Sequence, residues 1–307
     1  MRRVPAWAWV VGILALILGA LVGWASFSET GYASFRPGPV YEIAEFVEGE
    51  EATELNGETL MLTVIPSYDV TVLEAIWADL NPAVDLIDLE RVRDPEESDE
   101  EYAERQRTNM AVSKETAEYV ALDRLGYDVT ITGGGVLVSG IIPETGAVGV
   151  LEEGDVVIAI DGVPVTQHLE AVTEIYKHEV GDDLELTVIR GVETDEEEEL
   201  TLTVTLVEHQ IEEGQPMIGF LATTYNWGFE SPVDIEIDQG RIGGPSAGLM
   251  YTITLLDMLS DDDLLEGRKV AGTGSIDRNG GVGPIGGIKQ KIVGADRDGA
   301  DVVFGSR

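Results

Sequence analysis

The feature that most constrains this chain is an uncharged, apolar run at its N-terminus. Residues 4–27 hold no charged side chain, and Val, Ile, Leu, Ala, Gly and Trp dominate the run. A helix of about 20 such residues is long enough to cross a bilayer. The run therefore predicts a membrane-spanning helix, which makes residues 1–28 an anchor.

The charges that flank this run predict its orientation. Arg2 and Arg3 precede it, and Glu29 is the first charged residue after it. Positive charge stays on the cytoplasmic side, so we expect a cytoplasmic N-terminus and export of everything after about residue 28. The alternative is a cleaved secretory signal, since Gly23 and Ala25 form a small-x-small site. Both interpretations place the rest of the chain outside the cell membrane.

Composition excludes several classes of function. The chain has 58 Asp and Glu against 19 Lys and Arg, a net charge of −39, which disfavours nucleic acid and anionic lipid as partners. This acidity, with only five lysines, is typical of a protein adapted to high salt. There is no cysteine and there are three histidines without an HExxH pattern, so we expect no metal, no cofactor and no cysteine nucleophile.

Residues 29–124 read as a mixed α/β region with an acidic linker. The patterns predict a strand over 60–65, a helix over 72–80, a charged helix or linker over 95–107, and a helix that Ser113 opens and Gly126 ends. No chemistry is evident in this region.

Residues 125–208 change to short β-rich runs. Strands are predicted over 136–142, 155–160, 163–165, 184–189 and 200–207, with a short helix over 147–151, another over 169–178 and an acidic turn around 195–199. Together with the Gly154-Asp155 and Asp161-Gly162 turns, this pattern resembles the PDZ domains of exported bacterial proteases. Such domains bind an extended C-terminal peptide by strand addition.

The resemblance to PDZ domains implies a loop that holds the peptide carboxylate. In that family the loop is a short apolar-Gly-apolar element, which Leu125, Gly126 and Tyr127 match. The alternative is that Gly126 only caps the preceding helix, and both roles are compatible.

Residues 209–307 contain the chemistry. Gly-Gly-Pro-Ser-Ala-Gly at 243–248 leads into an apolar, helix-spaced stretch, and Pro245 suits a helix start. Ser246 would then lie in the first turn, where free backbone N–H groups such as that of Ala247 stabilise an oxyanion. Taken alone, the tripeptide Gly-Pro-Ser at 244–246 is weak evidence, because such tripeptides start many ordinary helices.

Two later segments give the serine a partner. Val-Ala-Gly-Thr-Gly at 270–274 and Gly-Pro-Ile-Gly-Gly-Ile-Lys-Gln-Lys at 283–291, in this order after 243–248, resemble the Lon peptidase domain. With the anchor and the PDZ pattern, the whole is similar to the membrane-anchored PDZ–Lon-like proteases of Gram-positive bacteria, and the implied fold is α+β. The resemblance implies Ser246 as nucleophile, Lys291 as general base and Thr273 as the residue that positions the lysine amine.

The residues themselves agree with that assignment. A lysine serves as a base only if burial lowers its pKa from about 10.4. Lys291 shares a helical face with Ile288, Ile292 and Ala295, whereas Lys289 lies two residues away and points elsewhere.

Two departures from the family pattern stand out. Gly243 occupies a position where ATP-driven Lon proteases carry an acidic residue, which suggests the Lon-like branch. The chain ends at Arg307, where the family domain normally continues, so we expect a truncated domain or a sheet completed in another way.

The sequence thus predicts a serine endopeptidase that binds peptides or unfolded proteins. No lysine is followed by Ser or Thr, so no Walker A loop exists and ATP dependence is not expected. The resemblance implies a homo-oligomer, commonly a hexamer. The competing hypothesis is a non-catalytic, membrane-anchored PDZ scaffold with a degenerate Lon fold, which a serine-reactive probe would distinguish.

Overall fold

The computed structural model describes residues 5–94, 97–192, 194, 196–210, 214–238, 240 and 242–306. Arg2 and Arg3, on which the predicted orientation depends, lie outside the described residues, as do Pro95 of the predicted linker, Asp195 of the acidic turn and Arg307.

The described residues form six α-helices, and the structure is mixed α/β. The helices are α1 (Ala6–Phe27), α2 (Val72–Leu80), α3 (Asp99–Leu125), α4 (His168–Ile175), α5 (Gly248–Met258) and α6 (Ile288–Arg297).

The strands are short and numerous. They are β1 (Tyr32–Glu42), β2 (Val47–Glu48), β3 (Glu58–Ser67), β4 (Asp85–Asp88), β5 (Thr130–Thr132), β6 (Gly135–Ile141), β7 (Val156–Ile160), β8 (Val163–Pro164), β9 (Asp183–Arg190), β10 (Glu198–Thr205), β11 (Val207–Glu208), β12 (Pro216–Met217), β13 (Phe220–Tyr225), β14 (Gly228–Glu230), β15 (Glu236–Ile237), β16 (Lys269–Thr273), β17 (Ser275–Ile276), β18 (Val282–Gly283) and β19 (Val302–Gly305).

The chain divides into two compact units, and the division differs from the predicted boundaries. Unit 1 is discontinuous and comprises residues 1–127 and 233–307, and unit 2 comprises residues 128–232. The region predicted over 29–124 is therefore not separate from the segment that carries Ser246. Likewise, the strands of residues 220–230, which the prediction assigned to the catalytic domain, lie in unit 2.

Unit 1 is built on a five-stranded mixed sheet in the order β19-β16-β3-β1-β4. β16 runs parallel to β19 and β3, whereas β1 is antiparallel to β3 and β4. Helix α6 packs on β1 and β3, and α5 packs against α3 and β16. Ala295 of α6 forms a buried apolar cluster with Leu60 and Leu62 of β3 and Ala271 of β16. Burying each leucine side chain stabilises the fold by about 1.5–3 kcal/mol.

Unit 2 is an antiparallel sheet in the order β10-β9-β7-β6-β13, with β8 paired to β7. Its core is aliphatic, and alternate residues of β9 (Leu184, Leu186 and Val188) are fully buried. This alternation is the two-residue period that predicted the strand. The predicted helix over 147–151 is wrong, because these residues form successive turns that begin after β6.

Helix α3 is much longer than predicted. It begins at Asp99 rather than Ser113, because Ser98 and Glu101 form a capping box that satisfies the first free N–H groups. Gly126 ends it in the left-handed conformation with φ of 79°, which confirms the predicted C-cap. The prediction of α2 over 72–80 is confirmed, with Thr71 and Glu74 forming its capping box.

Helix α1 contains one segment, Trp7–Phe27, that is long and apolar enough to span a membrane. A secretory signal near the N-terminus can meet the same criteria of length and composition.

Candidate active site

Ser246 lies at the entrance to α5. Gly244, with φ of +98°, turns the chain into a short 3-10 helix, Pro245–Ala247, which continues directly into α5. Helix α3 holds this turn in place: the Gly244 N–H donates to the Gln106 carbonyl (2.9 Å), and Ser113 Oγ donates to the Pro245 carbonyl (3.0 Å). The serine is thus presented on backbone that a second helix fixes.

The amine of Lys291 contacts the Ser246 hydroxyl. Nζ of Lys291 lies 2.7 Å from Ser246 Oγ and 2.8 Å from Thr273 Oγ1, and the residue is only 3% exposed. No carboxylate is among the groups that set its protonation: burial alone lowers the pKa of the Lys291 amine, to about 8. A substantial fraction is therefore neutral near pH 8, as a general base requires.

Thr273 connects the lysine to the backbone of the serine. It is the last residue of β16 and is fully buried. Its hydroxyl accepts from Lys291 Nζ and donates to the Ser246 carbonyl (3.1 Å), which also accepts from the Gly274 N–H (2.9 Å). These bonds fix the serine backbone and the lysine amine relative to one another.

Lys289 points away from the serine. Its amine pairs with the Asp85 carboxylate on β4, and more than half of its side chain is exposed. This ion pair lowers the pKa of the Asp85 carboxyl. The two lysines of the Lys-Gln-Lys run therefore have separate surroundings, as their spacing on one helix predicted.

Ala247 occupies the first turn of the helical segment, directly after the serine. Amide N–H groups in a first turn have no carbonyl partner within the helix. The positive end of the α5 dipole lies at the same place. The position is suited to stabilising an oxyanion.

A large cavity opens onto the Ser246 hydroxyl. Its volume is ≈ 890 Å³, and Ser246 and Lys291 form part of its wall. The rest of the lining is mainly apolar and comes from β1, β3, α3 and the segment before α6; it includes Phe35, Met61, Ile65, Tyr102, Met110 and Ile285. Such a lining favours apolar substrate side chains.

Strand β3 passes along this cavity with an open edge. β16 pairs with β3 only over its first four residues, from Glu58 to Met61. Beyond Met61, β1 continues to pair on the other side as far as Ser67. Within the described residues, positions 62–67 thus have no strand partner on the side from which β16 has ended, and Leu62–Pro66 all line the cavity. An extended peptide could pair there.

The predicted carboxylate loop lies in unit 1. Leu125 is the last residue of α3, Gly126 is its C-cap, and Tyr127 donates its N–H to the Leu122 carbonyl. Unit 2 has a second apolar-Gly-apolar element, residues 218–220, which ends at the first residue of β13. In that element Gly219 has φ of +103°, a conformation that glycine adopts readily.

Metal-ligand groups do not converge anywhere in the part of the chain that the structure describes: no cluster of three or more His, Asp or Glu side chains occurs there. The polar contacts of the Lys291 amine are the hydroxyls of Ser246 and Thr273.

Two family profiles match this chain, and they overlap between residues 166 and 206. The profile described as "PDZ domain" matches residues 123–206, and the profile described as "Lon protease (S16) C-terminal proteolytic domain" matches residues 166–305. The chain carries a PDZ domain and a Lon-type proteolytic domain.

Individual relatives share only a segment with this chain. The Lon protease of Mycolicibacterium smegmatis is 40% identical over 78 residues, which cover 24% of this chain and 9% of the relative. That of Protochlamydia amoebophila is 36% identical over 85 residues, covering 27% and 10%. The chain therefore spans about a tenth of the length of these curated relatives.

Solved structures that match this chain include a PDZ domain. The PDZ domain of an SdrC-like protein from Listeria monocytogenes is 25% identical, with a TM-score of 0.27, and covers 30% of this chain and 92% of that domain.

The contribution of residues 29–124 to the site was not predicted from the sequence. Gln106 and Ser113 hold the serine turn, and β3 forms one wall of the cavity. The capping box at Ser98 and Glu101 would have revealed the long helix that carries Gln106 and Ser113. Nothing local in the sequence shows that β3 pairs with β16, which lies about 200 residues further along the chain.

Proposed function

We propose that this Lon-like protein is an ATP-independent serine endopeptidase that uses a Ser246–Lys291 dyad. The observation that carries the proposal is the buried Lys291 amine at 2.7 Å from Ser246 Oγ, with its pKa lowered to about 8. A serine hydroxyl is a weak nucleophile until a neighbouring base removes its proton. Lysine does this only when it is neutral.

The proposed reaction proceeds in two steps. Neutral Lys291 takes the proton of Ser246 as Oγ attacks the substrate carbonyl. The resulting oxyanion accepts a hydrogen bond from the Ala247 N–H. The lysine then gives this proton to the leaving amine, and the C–N bond breaks to leave an acyl-enzyme. Water, deprotonated by the same amine, then attacks the ester carbonyl. The C–Oγ bond breaks, the Lys291 ammonium returns the proton to Ser246 Oγ, and the product leaves as a carboxylic acid. Thr273 acts as a positioning residue throughout.

The substrates are proposed to be unfolded segments or exposed tails. Residues 62–67 of β3 offer an unpaired edge along the cavity, to which only an extended backbone can pair. The chain has no Walker A sequence with which to couple ATP hydrolysis to unfolding. Capture of such tails by the PDZ unit completes the proposal.

Two elements are candidates for this capture. One is the predicted loop of Leu125, Gly126 and Tyr127. The other is the segment 218–220 together with the edge of β13. Strand β13 pairs with β6 on one side. Helix α4 lies beside β13, and the His168 N–H donates to Thr224 Oγ1 (3.3 Å). We favour the second, because it belongs to the same compact unit as the PDZ sheet.

The proposed location is the cell membrane, with α1 as a single-pass anchor, a cytoplasmic N-terminus and the catalytic unit outside. Support comes from the apolar segment Trp7–Phe27 and from the order of charges around it. Assembly into a homo-oligomer, a hexamer by resemblance to Lon-type domains, belongs to the same proposal. A non-catalytic PDZ scaffold is the alternative, and the polar contacts around Lys291 favour the enzyme.

The dependence of cleavage on pH tests the proposed base. Because only neutral Lys291 accepts the serine proton, cleavage of an unstructured peptide without ATP should rise about tenfold per pH unit below the midpoint and level off above it. The midpoint should lie near the lysine pKa of about 8. The measurement is initial rate against pH between 6 and 10.

A partly buried carboxyl supplies the control for this profile. Burial raises the pKa of Glu118 on α3 to about 7, so this group also titrates near neutrality. Glu118→Gln should leave the midpoint of cleavage unchanged. A rate that is flat or falls between pH 6 and 9 would exclude a lysine base.

A further inference from the structure

Helix α2 exposes an apolar stripe. Four of its side chains are largely solvent-accessible: Leu73 (43%), Ile76 (53%), Trp77 (52%) and Leu80 (78%). Their spacing of i, i+3, i+4 and i+7 places them within one face of the helix. Ala78 is buried and faces the protein, so the stripe is the side of α2 that the fold leaves uncovered.

Backbone hydrogen bonds tie the start of α2 to the end of α1. The Val72 N–H donates to the Ser28 carbonyl (2.9 Å), the Thr30 N–H donates to the Val70 carbonyl (2.8 Å), and Glu29 forms a β-bridge with Thr71. Helix α2 also packs against α1. The stripe is therefore held next to the point where the apolar helix ends, at Phe27, which is 87% exposed.

We propose that the stripe of α2 (Leu73, Ile76, Trp77 and Leu80) lies in the lipid interface beside the exit of α1, as a second membrane contact. The inference rests on the proposed role of α1 as a membrane anchor. A bilayer that surrounds α1 meets the protein at residues 27–30, and the stripe is bonded to that place. Tryptophan is enriched at this depth of a membrane.

Contact with a bilayer accounts for the exposed apolar stripe on a helix as short as α2. Nine residues are too few for stable binding to a membrane by themselves, since interfacial helices are usually longer. Attachment to α1 removes that requirement, because a tether raises the local concentration of the second contact. The net charge of −39 adds no attraction to anionic headgroups, so the contact is apolar and needs no anionic lipid.

The consequence concerns the distance of the active site from the membrane. Helix α2 packs beside β4, and Ile87 of β4 lines the cavity that contains Ser246. A membrane-bound α2 would hold this cavity close to the bilayer surface. Segments of substrate that emerge from the membrane are thus favoured over distant ones.

Spin labels in the full-length chain test the proposal, and the chain has no cysteine to remove. Single cysteines at Leu80, Asp79 and Leu16 would carry a nitroxide in phosphatidylcholine vesicles. Leu80→Cys reports on the stripe, Asp79→Cys is the exposed control on the same helix, and Leu16→Cys reports on α1. Collisions with oxygen and with a water-soluble nickel chelate give the depth of each label.

The proposal predicts that the nickel collision rate at position 80 is severalfold lower than at position 79, and that oxygen collisions are higher. Added phosphatidylglycerol should not change this ratio. Equal nickel access at 79 and 80, with position 16 buried in lipid, would overturn the α2 contact but not the anchor. Nickel access at position 16 would overturn both. Spin–spin broadening at position 80 would assign the stripe to contact with a second copy and also overturn the proposal.

Discussion

Replacement of Ser246 with alanine is expected to abolish peptide cleavage. The change removes one oxygen atom and leaves the helix start intact, because Gly244, Pro245 and Ala247 set the backbone there. Loss of one member of a catalytic unit can lower the rate by about 10⁶-fold. The assay is release of a fluorophore from an unstructured peptide, with thermal melting as a check on folding.

A matched serine provides the control for this loss. Ser260 follows α5, and its hydroxyl contacts only the nearby backbone of Asp262 among the hydrogen bonds of the described residues. Ser260→Ala should cleave at the parent rate. Cleavage by Ser246→Ala at more than a small fraction of that rate, in a preparation free of other proteases, would remove Ser246 from the mechanism.

The two lysines of α6 are expected to respond in opposite ways to replacement with methionine. Lys291→Met keeps the length of the side chain and removes the base, so cleavage should fall by about 10⁴-fold or more. It also removes a buried amine whose charging is penalised, so the melting temperature should stay equal or rise. Activity and stability would thus separate within one variant.

Lys289→Met is the matched control for that variant. It breaks an exposed ion pair with Asp85, which stabilises the fold by about 0–1 kcal/mol. Cleavage should be unchanged. If Lys289→Met is inactive and Lys291→Met cleaves normally, the assignment of the base along α6 is wrong.

Elements with a strong local pattern were predictable from the sequence. Helix α2 and strands β6 and β9 follow from apolar spacing with clear turns on either side. Helix α3 was predicted in two parts, as a charged helix or linker over 95–107 and a helix from Ser113, because its charged first turns carry no apolar period and only the capping box at Ser98 marks the start. The turns at 147–151 were predicted as a helix, because Ala147 and Leu151 are four residues apart and apolar. These two residues are apolar because they pack in the core of unit 2.

The candidate site was predictable only in part. The three motifs identify Ser246, Thr273 and Lys291, and the structure brings their side chains within hydrogen-bonding distance. The wall that β3 contributes was not predictable, since pairing with β16 joins residues about 200 positions apart and no local pattern records it. The discontinuous unit 1 was missed for the same reason.

The most direct test of a serine nucleophile activated by Lys291 is covalent labelling of the full-length protein by a fluorophosphonate, mapped by peptide mass spectrometry. The proposal predicts a single phosphonylated residue, Ser246, with labelling that rises with pH around 8 and is lost in Lys291→Met but retained in Lys289→Met. Labelling at another serine, or equal labelling of Ser246 with and without Lys291, would contradict it.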